Sequence, residues 1–298
     1  MPAVVDEVVD AYLHAVDAEV RGLVEGLYLI GSAALGDFRP DSSDIDFVAV
    51  TAQRPDRIAL DGLRHVHTRL RQRYPRPFFD GCYVTWDDLA GDPGRAGPGP
   101  HTHEGTFHPP GLHGGHSPVT WHMLARHGLA CRGPEPASRT MVTDPAALAA
   151  WTLDNLDAYW RRWLWRSQPL LTPHGGFALT PYATVWLVTG VSRMHYTLTT
   201  GGIISKEGAA HYALATFPAR WHQVINEALR IRRADLAGSA PVRAIAAGAA
   251  EYLHPRPAER RPLYRTPLRR RRDALAFGDM VIADAHRVAE VNRTDPPR

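Results

Sequence analysis

The sequence predicts an α/β (α+β) front half with a short mixed sheet, followed by an all-α helical bundle. Three observations lead to this prediction. Helix and strand patterns alternate up to residue 86, a segment rich in Gly, Pro and His covers residues 90–117, and nearly every later pattern is helical. The 298 residues exceed one typical domain, and 44% of them are hydrophobic, which is enough for packed cores. We therefore predict an α/β domain at 1–117 and a helical domain at 118–298.

The front half reads as helix, strand, strand, helix and strand. Apolar residues recur at helical spacing over residues 4–20 and predict an amphipathic first helix. Short apolar runs bounded by turn residues predict strands, and a longer amphipathic run predicts a second helix. These later elements lie at residues 27–30, 45–50, 56–73 and 78–86. The segment 90–117 that follows is predicted to be a long loop or a lid.

The back half is predicted to be helical because helix-start and helix-stop signals recur along it. The marking residues are Asp144-Pro145, Thr180-Pro181, Gly201-Gly202, Ser205 and Pro218. A Pro in the first turn marks the start of the first two helices, and the Gly pair marks the end of the second. Ser205 caps a third helix, and Pro218 separates this helix from a fourth. The first helix runs through about Trp165, and further helices fit residues 241–253 and 273–290.

Composition argues against several classes of protein. The net charge of +3 is only mildly basic, and Lys206 is the only lysine beside many arginines. The run LRRRR at 268–272 has no interleaved aromatic residues, so we predict a solvated helix start and no nucleic-acid partner. Cys82 and Cys131 form no disulfide or metal pattern, and no apolar run approaches the ~20 residues of a membrane span. We expect a monomeric cytoplasmic protein with no signal peptide and no membrane partner.

Two aspartates at the start of a predicted strand need an explanation. Asp44 and Asp46 stand two residues apart, so their side chains point to the same side of the strand. Neighbouring carboxylates repel each other and resist burial unless a cation neutralises them, and magnesium prefers such oxygen ligands. Upstream, Gly31-Ser32 offers N–H groups and a hydroxyl to phosphate oxygens. The alternative is a chance pattern on a surface strand.

Residues 31–50 read GSAALGDFRPDSSDIDFVAV, with Gly-Ser, a spacer and then Asp, apolar, Asp, apolar. This stretch resembles the signature of nucleotidyltransferases. Within them it is most similar to aminoglycoside enzymes of the streptomycin/spectinomycin 3''-adenylyltransferase type, whose polar turn also ends in Ser-Asp-apolar-Asp. The later stretch VTGVSRMHYTLTTGGIISKEGAAHYALATFPARWHQVINEA is similar to the helical C-terminal domain of that family. The resemblance covers roughly residues 27–233.

The resemblance implies nucleotidyl transfer, in which a hydroxyl of a small acceptor attacks the α-phosphorus of ATP and pyrophosphate leaves. It also implies that Asp44 and Asp46 hold magnesium ions, two in number, and that the modified acceptor is an antibiotic that loses its effect. Asp80 stands where the family carries a glutamate that acts as the base, although a solvated turn aspartate is the alternative. The residues expected to bind the nucleotide are Gly31, Ser32, Ser43, Arg193 and Lys206.

The acceptor is specified less well. Aminoglycosides are polycations, yet residues 158–206 contain five Arg or Lys and no Asp or Glu. From the acids elsewhere we expect Glu104, Asp154 and Asp157 to bind the acceptor, the last two sharing a predicted helix face. Otherwise the same chemistry acts on a neutral or anionic natural product or a protein hydroxyl. A non-catalytic nucleotide-binding module is a further alternative.

Two more groups of residues leave alternatives open. The histidines of the segment 90–117, together with Glu104, suit a zinc-dependent enzyme, a closing lid or a passive linker. They are His101, His103, His108, His113 and His116. Four tryptophans belong either to the helical core or to a wall that stacks on the acceptor. They are Trp160, Trp163, Trp165 and Trp186.

Overall fold

The computed structural model describes three stretches of the chain, residues 1–111, 115–234 and 261–294. It divides into two compact units, Met1–Asp144 and Pro145–Arg298. The first unit contains a six-stranded mixed sheet with helices, and the described part of the second unit is helical. The predicted fold class is therefore confirmed. The helix predicted at 241–253 lies outside the described residues.

The first unit opens with helix α1 (Ala3–Glu19). Its strands are β1 (Val24–Leu29), β2 (Ile45–Thr51), β3 (Phe79–Thr85), β4 (Gly99–His103), β5 (Thr106–Gly111) and β6 (Leu129–Arg132). Its other helices are α2 (Gly31–Ala34), α3 (Arg57–Arg73), α4 (Trp86–Leu89) and α5 (Pro118–His127). The strand order is β5-β4-β3-β2-β1-β6, in which β2 and β3 are parallel and the other neighbours are antiparallel. All five elements predicted before residue 86 are present.

Hydrophobic cores cover both faces of this sheet. Along β2 the side chains alternate, so Ile45 and Phe47 pack against α1 and α3. Val48 and Val50 pack on the opposite face, in the core that includes residues of α5. Asp46 falls on that second face because it alternates with Ile45 and Phe47. The strand that buries the core therefore also presents one carboxylate at its start.

The prediction of a loop or a lid over residues 90–117 is wrong for residues 99–111. These residues form the β4–β5 hairpin. The connecting loop has two residues, Glu104 and Gly105, with φ of +49° and +66°. Positive φ at both positions is typical of tight hairpin loops, because it matches the twist of the strands. Sequence patterns missed the hairpin because Glu-Gly is not a usual loop pair and Pro and Gly weaken the strand signal.

The division between the units falls after Asp144, later than the predicted boundary at residue 117. Helix α5 and strand β6 follow residue 117, and β6 pairs with β1, with Leu29 opposite Leu129. The four residues of β6, LACR, have mixed polarity and no alternation of their own. Their place in the sheet is decided by pairing with β1, which no local pattern reveals.

The described part of the second unit consists of helices. They are α6 (Pro145–Asn155), α7 (Arg162–Ser167), α8 (Pro173–Phe177), α9 (Pro181–Thr200), α10 (Lys206–Thr216), α11 (His222–Arg233) and α12 (Pro267–Thr294), with a π-helical turn at Leu156–Arg161. The predicted end of α9 at Gly201 and the predicted N-cap of α10 at Ser205 are both present. Gly201 has φ of +67° after α9, and Ser205 Oγ accepts the N–H of Gly208 at 3.1 Å at the start of α10. Within the described stretches, none of the helices combines the length and apolarity needed to cross a membrane.

A chain of buried hydrogen bonds links α1, α3 and β3 in the first unit. The hydroxyl oxygens of Tyr12 and Tyr83 lie 2.7 Å apart, and the Tyr83 oxygen lies 2.7 Å from Nε2 of His67. Burial lowers the pKa of His67 to about 3. The native protein therefore keeps this imidazole neutral at physiological pH.

We expect the free energy of unfolding to fall as the pH falls, with His67 as one cause. In the unfolded chain His67 takes up a proton near pH 6.5, whereas the native imidazole resists protonation until about pH 3. Stability is therefore full above pH 6.5 and decreases below it, by on the order of a few kcal/mol. Urea unfolding at several pH values should show a flatter pH dependence for His67→Leu than for His65→Gln, whose parent side chain is exposed. Equal pH dependence in both variants would contradict this assignment.

Candidate active site

The end of β1 and the start of β2 meet at Gly31 and Asp46. The N–H of Ile30 donates to the carbonyl oxygen of Asp46 at 2.9 Å, and the chain then turns into α2 at Gly31, whose φ is +63°. A Cβ atom on residue 31 would lie 2.1 Å from Oδ2 of Asp46. Both the positive φ and the close approach therefore require glycine at this position.

Asp44 lies just before β2 in an ion pair that the sequence patterns did not reveal. Nη1 of Arg76 donates to Oδ1 of Asp44 at 3.0 Å, and the side chains are 35% and 41% exposed. The Arg76 guanidinium also lies over the ring of Phe78, 3.6 Å from its centroid. A half-exposed pair adds only about 0–1 kcal/mol of stability. Its main effect is to bring a positive charge beside the carboxylates, and an arginine between two prolines gives no sequence signal for this.

The two predicted phosphate-binding serines differ in their surroundings. Ser43 is buried, and its Oγ accepts the N–H of Arg39 at 3.0 Å, which closes the turn that leads to Asp44. Ser32 is only partly buried and follows Gly31 in α2. Ser43 therefore has a structural role at this end of the sheet. Because its oxygen is the acceptor in this bond, its hydroxyl hydrogen is still able to donate to another group.

Asp80 in β3 is the in-register neighbour of Asp46 in the parallel strand β2, so both side chains lie on one face of the sheet. Each carboxylate oxygen of Asp80 accepts a backbone N–H from the hairpin loop. Oδ2 accepts from Glu104 at 2.7 Å and Oδ1 from Gly105 at 2.8 Å. Burial raises the pKa of Asp80 above that of an ordinary aspartate, and the two N–H groups partly oppose this effect. The alternative of a solvated turn aspartate therefore does not hold.

The two predicted phosphate-binding cations of the second unit lie close together in the chain's fold. Nε of Arg193 in α9 donates to the carbonyl oxygen of Ile204 at 3.0 Å. Lys206 follows two residues later as the first residue of α10, and its side chain is exposed. The N-terminal end of a helix carries partial positive charge. Two cations and a helix start therefore occupy one region of the second unit.

The three predicted acceptor-binding acids lie in different settings. Glu104 is exposed at the loop of the β4–β5 hairpin in the first unit. In the second unit, Oδ1 of Asp157 lies 2.8 Å from Nη1 of Arg161 and 3.0 Å from Nε2 of His286. Asp154 is exposed in α6, which ends one residue later where the π-helical turn begins. The α-helical spacing that predicted a shared face for Asp154 and Asp157 therefore does not apply.

The predicted histidine segment contributes to the hairpin. The rings of His101 in β4 and His108 in β5 stack with their centroids 4.9 Å apart. His113 lies outside the described residues. In the parts of the chain that the structure describes, no group of three or more His, Cys, Asp or Glu is arranged to hold a metal ion. The zinc alternative therefore gains no support from the hairpin.

Three of the four tryptophans belong to the core of the second unit. The ring of Trp186 packs against Trp160 and Trp163, with centroids 4.4 and 5.0 Å apart. Trp160 is buried, whereas Trp165 is 74% exposed. The core alternative therefore applies to all of them except Trp165.

Comparisons with known proteins agree with this arrangement. Residues 12–76 match the family model described as nucleotidyltransferase domain, and residues 180–250 match the one described as aminoglycoside adenylyltransferase, C-terminal domain. No curated protein sequence matches the chain. The fold is similar to that of spectinomycin adenyltransferase AAD(9) from Enterococcus faecialis, solved with ATP and spectinomycin, with a TM-score of 0.56 and 12% identity over 96% of this chain and 99% of that chain. The resemblance to aminoglycoside adenylyltransferase-like nucleotidyltransferases is therefore confirmed by two matched domains, and the fold is similar to that of a spectinomycin adenyltransferase.

Proposed function

We propose that the protein transfers a nucleoside monophosphate, AMP from ATP, to a hydroxyl of an aminoglycoside-like antibiotic and releases pyrophosphate. The observation that carries this proposal is the close approach of Gly31 to the carboxylate of Asp46 beside Asp44, within the residues that match the nucleotidyltransferase domain. The presence of ATP and spectinomycin in the structure of AAD(9) supports the donor and the class of acceptor.

The donor set at the start of β2 suits magnesium. Asp44 and Asp46 supply two carboxylates, and magnesium is commonly bound by one or two carboxylates together with water and substrate phosphates. Gly31 leaves the space beside Asp46 that a Cβ atom would fill. When bound there, magnesium ions, two in this proposal, would neutralise charge on the triphosphate.

The chain's own residues bind the nucleotide and remove the proton in this proposal. The acceptor oxygen forms a bond to the α-phosphorus while the bond from that phosphorus to pyrophosphate breaks. The hydroxyl proton passes to Asp80, which shares a sheet face with Asp46. Hydroxyl, N–H and cationic groups bind the phosphate oxygens. They belong to Gly31, Ser32, Ser43, Arg193 and Lys206.

Pyrophosphate release tests the proposal directly. The full chain is incubated with ATP, magnesium and a panel of aminoglycosides, spectinomycin and other hydroxylated natural products. We expect one or more acceptors to gain the mass of AMP as pyrophosphate appears. ATP binding without turnover of any acceptor would contradict the proposal and would favour a non-catalytic nucleotide-binding module.

A second candidate keeps the chemistry and changes the acceptor. Residues 158–206 contain no acid, and Asp157 already contacts Arg161 and His286. A polycation near these residues would meet like charge, which disfavours binding. Turnover of neutral or anionic hydroxylated compounds, or of peptides that carry Ser, Thr or Tyr, without turnover of any aminoglycoside would favour this candidate.

Lys206 offers a test of the triphosphate contact. We expect Lys206→Gln to raise the KM for ATP roughly tenfold or more, because a charge-assisted hydrogen bond to phosphate is lost. The KM for the acceptor should change little. Arg220→Gln, at an exposed arginine of the same unit, is the matched control and should leave both constants unchanged. An unaltered KM for ATP in Lys206→Gln would remove this lysine from the proposed site.

A further inference from the structure

Glutamate is an unexpected residue at the loop of the β4–β5 hairpin. Tight loops with positive φ at both residues favour Asn, Asp and Gly, because other side chains are strained in this conformation. Among the described residues, Glu104 is the single non-glycine residue with positive φ, +49°. Folding of the hairpin therefore does not explain why this position carries a glutamate.

Asp80 fixes the position of this loop relative to β3, the strand that pairs with β2. Its two carboxylate oxygens accept the N–H groups of Glu104 and Gly105 at 2.7 and 2.8 Å. Asp80 is also the in-register neighbour of Asp46. The loop is thereby attached to the same end of the sheet at which Asp46 and Gly31 lie, and the exposed side chain of Glu104 starts from this attached backbone.

We propose that Asp80 positions the hairpin loop so that the carboxylate of Glu104 binds a cationic group of the acceptor. This inference rests on the proposed nucleotidyl transfer and adds the residue by which the first unit recognises acceptor charge. Asp80 acts here as a positioning residue through its contacts with the loop, in addition to its proposed part in proton removal. An exposed carboxylate favours cations over neutral groups, because opposite charges attract.

Two substitutions at residue 104 separate charge from backbone strain. Glu104→Gln keeps the size and the hydrogen-bonding capacity but removes the charge, and Glu104→Gly also relieves the strain of a positive φ. With spectinomycin and streptomycin as acceptor probes, we expect both variants to raise the acceptor KM about tenfold and to leave the KM for ATP unchanged. Glu104→Gly should unfold at the wild-type temperature or above, which excludes misfolding as the cause. Glu7→Gln, at an exposed glutamate of α1, is the control and should behave as wild type.

Asp80→Asn tests the positioning role. Hydrogen exchange at the amides of Glu104 and Gly105 should become faster, because the carboxylate acceptor of both N–H groups is lost. The calorimetric dissociation constant for spectinomycin, which needs no turnover, should rise as in Glu104→Gln, and adding Glu104→Gln to Asp80→Asn should raise it no further. If the two substitutions instead weaken spectinomycin binding independently of each other, the positioning role is overturned.

Calorimetric binding of the probes to the full chain, in the presence of a non-hydrolysable ATP analogue, separates this inference from the proposed function. If wild type binds the probes and Glu104→Gln binds them equally well, the inference is overturned whatever the turnover. If wild type turns over only neutral acceptors and binds neither probe, nucleotidyl transfer stands and the inference fails. If binding of the probes depends on Glu104 but no acceptor gains AMP, the inference stands and the proposed function fails.

Discussion

Replacing Asp46 by Asn should reduce nucleotidyl transfer by at least about 100-fold, because a carboxylate that would hold magnesium becomes a neutral amide. The loss should appear in kcat and should not be rescued by more acceptor. The melting temperature should stay the same or rise, since Asp46 adds a negative charge beside Asp44 and Asp80 that the substitution removes. Pyrophosphate release and thermal unfolding of the same preparation measure the two effects.

Asp41→Asn is the matched control for this substitution. Asp41 lies in the same turn before β2, and its side chain is exposed. The control should retain wild-type turnover, because the charge it removes does not belong to the proposed metal site. Undiminished turnover in Asp46→Asn would rule out the proposed metal role of this carboxylate, and equal losses in both variants would point to a general effect of charge on the turn.

The second large effect is expected for Gly31→Ala. The added methyl group would lie 2.1 Å from Oδ2 of Asp46, closer than any real contact, so the carboxylate or the turn must move. We expect turnover to fall about 100-fold, the loss typical of a displacement of about 1 Å at a reacting centre. Alanine at φ of +63° also adds strain of roughly 1 kcal/mol, which lowers the free energy of unfolding.

Gly36→Ala distinguishes displacement of the carboxylate from backbone strain. Gly36 has φ of +68°, close to that of Gly31, but a Cβ atom there would have no neighbour within 4 Å. Both variants should therefore lose similar stability in urea unfolding, and only Gly31→Ala should lose turnover. If Gly36→Ala loses turnover to the same degree, strain in the turn and not the position of Asp46 is the cause.

Much of the fold and part of the candidate site could be predicted from local signals. The Asp-apolar-Asp spacing led to the prediction of neighbouring carboxylates at the start of β2. Gly31-Ser32 predicted the tight turn after β1, and Ser205 predicted the start of α10. These features depend on residues close in sequence, so a short pattern contains the information. The same signals led to the family resemblance, which the matched domains and the shared fold later supported.

The features that were missed depend on contacts between distant residues. Arg76, which contacts Asp44, lies in the segment before β3. The N–H groups of Glu104 and Gly105, which contact Asp80, belong to a hairpin whose Pro and Gly residues are more typical of a loop. Tertiary pairing, which local propensity does not encode, decided each of these cases.

The parallel register of β2 and β3 limits how the length of this chain can change. Ile45 lies opposite Phe79, and both side chains are in the core against α1 and α3, whereas the next pair, Asp46 and Asp80, lies on the other face of the sheet. Because side chains alternate, a one-residue insertion within either strand would carry a carboxylate into the core and a core side chain to the site. Insertions and deletions are therefore compatible with both folding and chemistry only in the connections, such as the largely exposed residues 52–56 between β2 and α3.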